Sequence, residues 1–407
     1  MPAEAWITGI GIVSCLGEGP EAHWQGLLHP HPSADTSRFA PYVIHPLAPI
    51  EFDKQIPKKG DQRQMEAWQR IGTYAAGLAL DSGKLKGNAA LLGSTDMIVA
   101  GGGGERDVEV DATIMTGLRK AADPDAFINE RLMSDLRPTL FLAQLSNLLA
   151  GNISIVHGVT GSSRTFMGEE AAGIDAVRIA LSRIAAGQSK LALVGGAHNA
   201  ERKDLLLLYE FGGFVLKNRY QPVWSRRSNP GFAPASVGAF LVLEERQHAE
   251  ARGAEPFARL SLVLSGRTGR DAGAVTDALR RMWEPVEHRL QAGRYAVLSG
   301  ATGVEPPTGE EQRFLAEHPE AAVRATGSRI GHGMEGQFPM NIALAALAVR
   351  HGILFPPCNE SPVERAMEGP LAQAVVTGVG HWRGEGMALV EAAPIEQKDP
   401  AYATHAG

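Results

Sequence analysis

At 407 residues, 44% hydrophobic and 21% charged, the chain is long enough for one large or two modest cores and has an ordinary globular composition. Its formal net charge of −6 argues against a nucleic-acid binder, which carries a basic face. Two cysteines, Cys15 and Cys358, are too few for a disulfide framework and fit a reducing compartment. The longest apolar stretch, residues 342–349, is far short of the roughly 18 residues a membrane span needs, and the start lacks a basic segment followed by an apolar one. The expectation is a cytoplasmic protein without membrane insertion, with a polar, frayed tail from Pro394 onward.

In chain order, residues 5–13 read as a strand running into a Gly-punctuated turn. Residues 97–100 read as a second strand, ending at Gly101-Gly102-Gly103-Gly104. That run lacks the spacing and the Lys-Ser/Thr of a phosphate-binding loop, so a tight packed turn is expected. Residues 153–156 and 191–194 are two further strands, the latter closing on Gly195-Gly196. Between them Ile174, Val177, Leu181 and Ile184 recur at three- and four-residue spacing, marking a helix with Gly187 as C-cap. Residues 245–255 are polar and read as a connecting helix between two halves, 1–250 and 251–407. Beyond it, residues 257–264 and 295–298 read as strands and 340–350 as a tightly packed helix. Pro306-Pro307 and Pro356-Pro357 mark loops. Strands alternating with amphipathic helices indicate an α/β fold with a buried sheet and two similar halves.

Several segments follow one another in a recognisable order. They are Ile7-Thr8-Gly9-Ile10-Gly11-Ile12-Val13-Ser14, residues 138–151 followed by Ile153-Ser154-Ile155, and Gly195-Gly196-Ala197. Then come Val237-Gly238-Ala239-Phe240-Leu241-Val242-Leu243-Glu244-Glu245 with His248-Ala249 and Arg252-Gly253-Ala254, Ile330-Gly331-His332-Gly333-Met334-Glu335-Gly336, and Pro356-Pro357. The set resembles the elongating, type II β-ketoacyl-acyl-carrier-protein synthases of the thiolase superfamily. The resemblance implies a thiolase-like five-layer αβαβα fold and a dimer whose interface strand precedes the nucleophile. It also implies acyl carrier protein as a partner, and neither cofactor nor metal.

That family's chemistry needs a cysteine thiolate at a helix N-terminus, two histidines and a lysine. Counting back from Gly195-Gly196-Ala197 through the helix puts Glu170 at the cysteine position. Counting forward from Gly151-Asn152 gives Thr160, so residues 158–167 read as a ten-residue insertion that could fill the site. The helix-anchored count is preferred, because Glu169-Glu170-Ala171-Ala172-Gly173-Ile174-Asp175-Ala176 resembles the motif of chain-length factors, ketosynthase paralogues with glutamine at this position. The first histidine falls on Gly300 and the lysine on Gly327, while His332 keeps the second histidine. The C-terminal gating loop is altered to Gly378-Val379-Gly380-His381-Trp382-Arg383-Gly384.

By this resemblance the chain is a non-condensing subunit, a homodimer or a heterodimer with an active ketosynthase. Phe141, Gln144 and His381 are the candidates for contact with acyl substrate or with the partner's pocket. Alternatives are an active synthase with a misaligned nucleophile and a standalone acyl or carrier-protein binder.

Plainer readings stand beside these. Glu170 is also an acid favoured by the helix dipole, and an ionised Glu170 would repel a malonyl carboxylate. Thr160, Ser162 and Ser163 lack an adjacent histidine–acid pattern and read as loop. Cys15 and Cys358 read as packing residues, and His29, His31 and His45 as surface histidines rather than metal ligands. Arg226, Arg227, Lys54, Lys58 and Lys59 are candidates to contact an acidic carrier.

Overall fold

Strand β1 (Ala5–Ser14) is buried along its whole length, as an apolar run without alternation requires. The computed structural model describes residues 2–29, 31, 33–136 and 144–394. Ten further strands follow β1: β2 (Gly17–Glu18), β3 (Asp96–Ala100), β4 (Ser163–Phe166), β5 (Leu191–His198), β6 (Val237–Glu245), β7 (Ala258–Gly266), β8 (Tyr295–Ser299), β9 (Ala322–Ala325), β10 (Gln373–Val379) and β11 (Glu385–Glu391). They form one mixed sheet in the order β4-β3-β5-β6-β1-β7-β11-β10-β8-β9, with β2 paired to β1.

That order contains a repeat. From β4 through β3 to β5 the pairing is parallel, and from β5 through β6 to β1 it is antiparallel. From β9 through β8 to β10 it is again parallel, and through β11 to β7 antiparallel. The two halves join where Ala5, Trp6 and Ile7 pair with Leu260, Arg259 and Ala258.

The helices that matter for the site are α1 (Ala67–Ser82), α2 (Leu148–His157), α3 (Glu169–Ala185), α4 (Lys203–Phe211), α5 (Ala274–Glu287) and α6 (Gln337–His351). Residues Gln337 to Val349 of α6 are all buried, and a helix apolar on every side fits only inside the molecule. Together with α3 it packs between strands of both halves, Ile174 and Ile342 sharing a core with Ile12, Leu241, Leu298 and Val376. Outside the sheet, α1 covers the first half through Trp68, Ile71 and Tyr74, and α5 covers the second through Leu279 and Trp283. The layering that results is helix, first half of the sheet, helix, second half of the sheet, helix.

Two sequence expectations fail in one place. Residues 153–156 are not a strand but the last part of α2. Leu149, Ala150, Ile153 and His157 form its buried side, and Gly158 closes it at φ 74° with its N–H on the Ser154 carbonyl. The strand before α3 is β4, whose residues are half-buried or exposed and carry no apolar signature. It pairs in parallel with β3, Met97 opposite Ser163. Residues 158–167 are therefore the turn into an edge strand and that strand itself, not a segment that fills the site.

Candidate active-site region

The site lies at the carboxyl ends of the parallel strands β3, β5, β8 and β10, where open α/β sheets hold their ligands. The entry to α3 is sharply bent: Gly168 has φ 127° and Glu169 φ 49°. Glycine adopts such values freely, but glutamate does so at a cost, and strain of this kind concentrates at functional positions.

At the second residue of α3, the Glu170 carboxylate is buried. His332 Nε2 lies 2.7 Å from its Oε1. His381 Nδ1 lies 2.9 Å from the same oxygen and 3.2 Å from Oε2. The His381 backbone N–H donates to Oε1 at 3.1 Å. Burial opposes charge on Glu170, but the charge on His381 and hydrogen bonds from both imidazoles outweigh it and hold the carboxyl well below its ordinary range. Burial likewise opposes charge on His381, and the Glu170 carboxylate reverses that and raises its pKa. For His332 burial wins and lowers the pKa, so it stays neutral and donates through a protonated Nε2. The arrangement is a carboxylate–imidazolium pair with a third, neutral donor.

Little space remains. The cavity bounded by Glu170, Ile174, Gly300, His332, Phe338 and Thr377 measures about 10 Å³, room for about one water. No residue of 158–167 lines it. The His381 ring is wedged among Phe214, Phe232 and Tyr209 at centroid distances of 4.7, 5.4 and 6.3 Å. Outside it, Trp382 Nε1 donates to Glu169 Oε2 at 3.4 Å, and the Arg383 guanidinium stacks 3.9 Å above the Trp382 ring.

The other expected positions divide. A Cβ on Gly300 would meet the Thr377 carbonyl oxygen at 2.5 Å and Gly378 Cα at 2.9 Å, so β10 closes the place where a first histidine would stand. Gly327 opens the short helix Gly327–Ile330, and a Cβ there would press on Ala301 and Val223 at 3.3 Å; it does not border the Glu170 cavity. Phe141 lies outside the described residues. Gln144 is exposed and donates to the Glu105 carbonyl at 2.7 Å, packed against Gly104. The expected tight turn is not found at Gly101–Gly104, which is irregular backbone: Gly104 packs closely, a Cβ there lying 2.4 Å from Gln144 Cα, but Gly103 is exposed with open space beside it.

Two residues are corrected outright. Arg226 is buried, its guanidinium on the carbonyls of Gln221, Gly231 and Thr302, so it cannot reach a carrier protein. His45 is also buried, not at the surface. Among the described residues no cluster of His, Cys, Asp or Glu could hold a metal ion. Neither thiol stands as a nucleophile: burial pushes Cys15 up to about 11 and Cys358 higher still. Ser162 donates to Asp96 Oδ1 at 2.7 Å, with no histidine beside it.

Three buried groups escaped sequence reasoning. Glu335 and His198 stand 3.6 Å apart in the same interior, and Glu335 lies against the Gly102 backbone. Glu311 accepts from Ser299 Oγ at 2.8 Å and Thr377 Oγ1 at 2.5 Å behind Gly300, and burial pushes its pKa up to about 7. Glu335 sits within the quoted motif around His332, so an acid among glycines was the available signal. For Glu311 there was none.

Residues 4–249 match the family model described as "Beta-ketoacyl synthase, N-terminal domain". The chain belongs to the β-ketoacyl synthase family. It is 27% identical over 394 residues to 3-oxoacyl-acyl-carrier-protein synthase 2 of Vibrio harveyi, covering 89% of both chains. The match to the protein of the same name from Vibrio cholerae is also 27% identical but spans only 61% of that protein. Among solved structures, the ishigamide ketosynthase/chain length factor superposes with a TM-score of 0.76 at 19% identity, over 97% of this chain and 100% of that one. A type II polyketide ketosynthase in complex with its acyl-carrier protein, AntDE:AntF, gives 0.71 at 17% identity, over 97% and 100%. The fold is thus the thiolase-like ketosynthase fold, in a protein of fatty-acid or polyketide biosynthesis.

Proposed function

We propose that this chain is a non-condensing, chain-length-factor-like subunit that pairs with an active ketosynthase and works with acyl carrier protein. One observation carries the reading: the position matched to the nucleophile holds a carboxylate locked by His332 and His381 in a cavity of about 10 Å³. A carboxylate so held takes no acyl chain from a thioester, and no acyl group fits beside it.

The surface supports a partner. At the end of the sheet β4 has a neighbour on one side only. A cleft of about 660 Å³ runs along it, lined by Ala150, Ser154, Val159, Thr160, Ser163 and Thr165. Ile155 and Met167, 73% and 66% exposed, flank it. An uncovered edge strand with apolar neighbours is a ready pairing surface. The AntDE:AntF complex holds an acyl-carrier protein, which makes that class of partner a natural one to test here.

The test is co-expression with a ketosynthase encoded beside this chain, followed by size-exclusion chromatography and mass analysis. A one-to-one complex is expected, and two separate homodimers would overturn the proposal.

A further inference from the structure

Around Glu170, donor and guest come from different parts of the chain. Oε1 accepts from His332 Nε2 at 2.7 Å, from His381 Nδ1 at 2.9 Å and from the His381 amide at 3.1 Å. The three side chains are only 4–5% exposed. α3 contributes the carboxylate alone.

The donors are also held without it. The His332 N–H bonds the Ala233 carbonyl at 2.8 Å, its own carbonyl receives the Ala235 N–H at 2.9 Å, and its ring lies 5.3 Å from Phe232. The loop bearing His381 is closed by Gly380 N–H on the Gly384 carbonyl at 2.8 Å. It is fastened by Arg270, which donates to the Gly380 carbonyl at 2.6 Å and to Glu385 Oε1 at 2.6 Å. The ring is wedged by Phe214, Phe232 and Tyr209. A hole whose walls are anchored elsewhere is preorganised, and a preorganised hole keeps affinity for any guest of the right shape and charge.

We infer that His332, His381 and the His381 amide form a standing binding site for one small monocarboxylate, which the chain keeps filled with its own Glu170 side chain. The inference rests on the non-condensing reading above and names what closes the site: an intramolecular ligand rather than a collapsed cavity. One imidazolium facing one carboxylate suits a single negative charge. Glu169, beside the site on α3 and acting on His381, and Glu335, whose charge acts on Glu169, disfavour a dianion such as phosphate.

Size sets the guest. Glu170→Gly removes the equivalent of propionate, and Glu170→Ala, which keeps Cβ, removes the equivalent of acetate. The adjoining space of about 10 Å³ leaves no room for the chain of hexanoate.

The experiment is a thermal-shift titration of the full chain with sodium propionate, acetate and hexanoate at constant ionic strength, with chloride as control. The expected result is a matched swap. Propionate raises the melting temperature of Glu170→Gly by several degrees, saturably. Acetate does best on Glu170→Ala. Hexanoate and chloride move neither variant. Wild type and Glu170→Gln respond to none, and His332→Ala placed on Glu170→Gly removes the propionate effect. If a truncated variant fails to fold in buffer, refolding yield with and without its matched acid gives the same reading. Folded truncations indifferent to both acids, or responses equal to those of Glu170→Gln, overturn the inference. Loss of pairing with a ketosynthase leaves this readout untouched, so failure of the functional proposal and failure of the hole are separately visible.

Discussion

Around Glu170 both carboxylate oxygens have partners and about 10 Å³ is left empty, whereas along β4 the outer edge has no strand beside it and a cleft of about 660 Å³ lies open. Met97 N–H reaches the Ser162 carbonyl and Gly101 N–H the Phe166 carbonyl, so the intervening alternation turns the backbone groups of Ser163 and Thr165 outward. The two regions treat polar groups in opposite ways. Inside, charge is neutralised by charge and about 10 Å³ is left beside it. At the edge, donors and acceptors are left to water or to another chain. A site kept full and an edge kept open are the two features on which the proposed pairing role rests.

The largest expected effect comes from emptying the full side. Glu170→Ala leaves the His381 cation buried and unpaired, and breaking a buried pair from one end costs about 3–5 kcal/mol. Urea denaturation measures it, and a loss below about 1 kcal/mol would show that the lock is loose. The same pair sets a pH window. Glu170, depressed below its ordinary 4.5, adds stability above that value and loses it in acid. His381, raised above its ordinary 6.5, adds stability below that value and loses it as pH rises through its raised pKa. The lock is therefore strongest between about pH 4.5 and 6.5, and Glu170→Gln should flatten that dome.

Glu311 sharpens the picture of the closed interior. Raised from 4.5 to about 7, it stabilises the fold fully below pH 4.5 and loses that contribution as pH climbs to 7. A shift of that size corresponds to about 3 kcal/mol. Glu311→Gln should remove that slope in denaturation curves taken from pH 4.5 to 7, and an unchanged slope would place the acid in contact with solvent.

On the open side, Thr165→Pro deletes an outward N–H from an edge strand, where proline is tolerated. Thermal stability of the isolated chain should change little, while pairing with a ketosynthase weakens about tenfold, roughly 1.4 kcal/mol, in analytical ultracentrifugation. Unaltered pairing would locate the partner elsewhere. The smallest effect is expected at the rim between the regions. Arg383→Ala removes a half-exposed guanidinium stacked on Trp382 and should cost about 0.5–1 kcal/mol in melting experiments.

Much of the fold could be read from the chain directly. β1 was visible as an apolar run, α3 through Ile174, Val177, Leu181 and Ile184, and β5 through residues 191–194, although it continues past Gly195-Gly196 to His198. The site was half legible. Glu170, His332 and His381 could each be named from motif order, and Gly300 could be seen to lack a side chain. Their meeting could not be seen, because Glu170 and His381 are 211 residues apart. β4 was missed because Ser163-Arg164-Thr165-Phe166, exposed or half-buried, has no periodicity to detect, and α2 was misread because Ile153 to Val156 favour a strand locally while burial against α1 makes them helical.

The sequence by itself determined the family and the α/β character, since those follow from residue order and local pattern. Only the tertiary structure decided that Glu170 is a bound carboxylate rather than a loose acid, that Gly300 has no room for a histidine, and that residues 158–167 make an edge rather than a plug. Those outcomes depend on which distant groups are brought within about 3 Å of one another, and strand order and burial, not local spacing, control that distance.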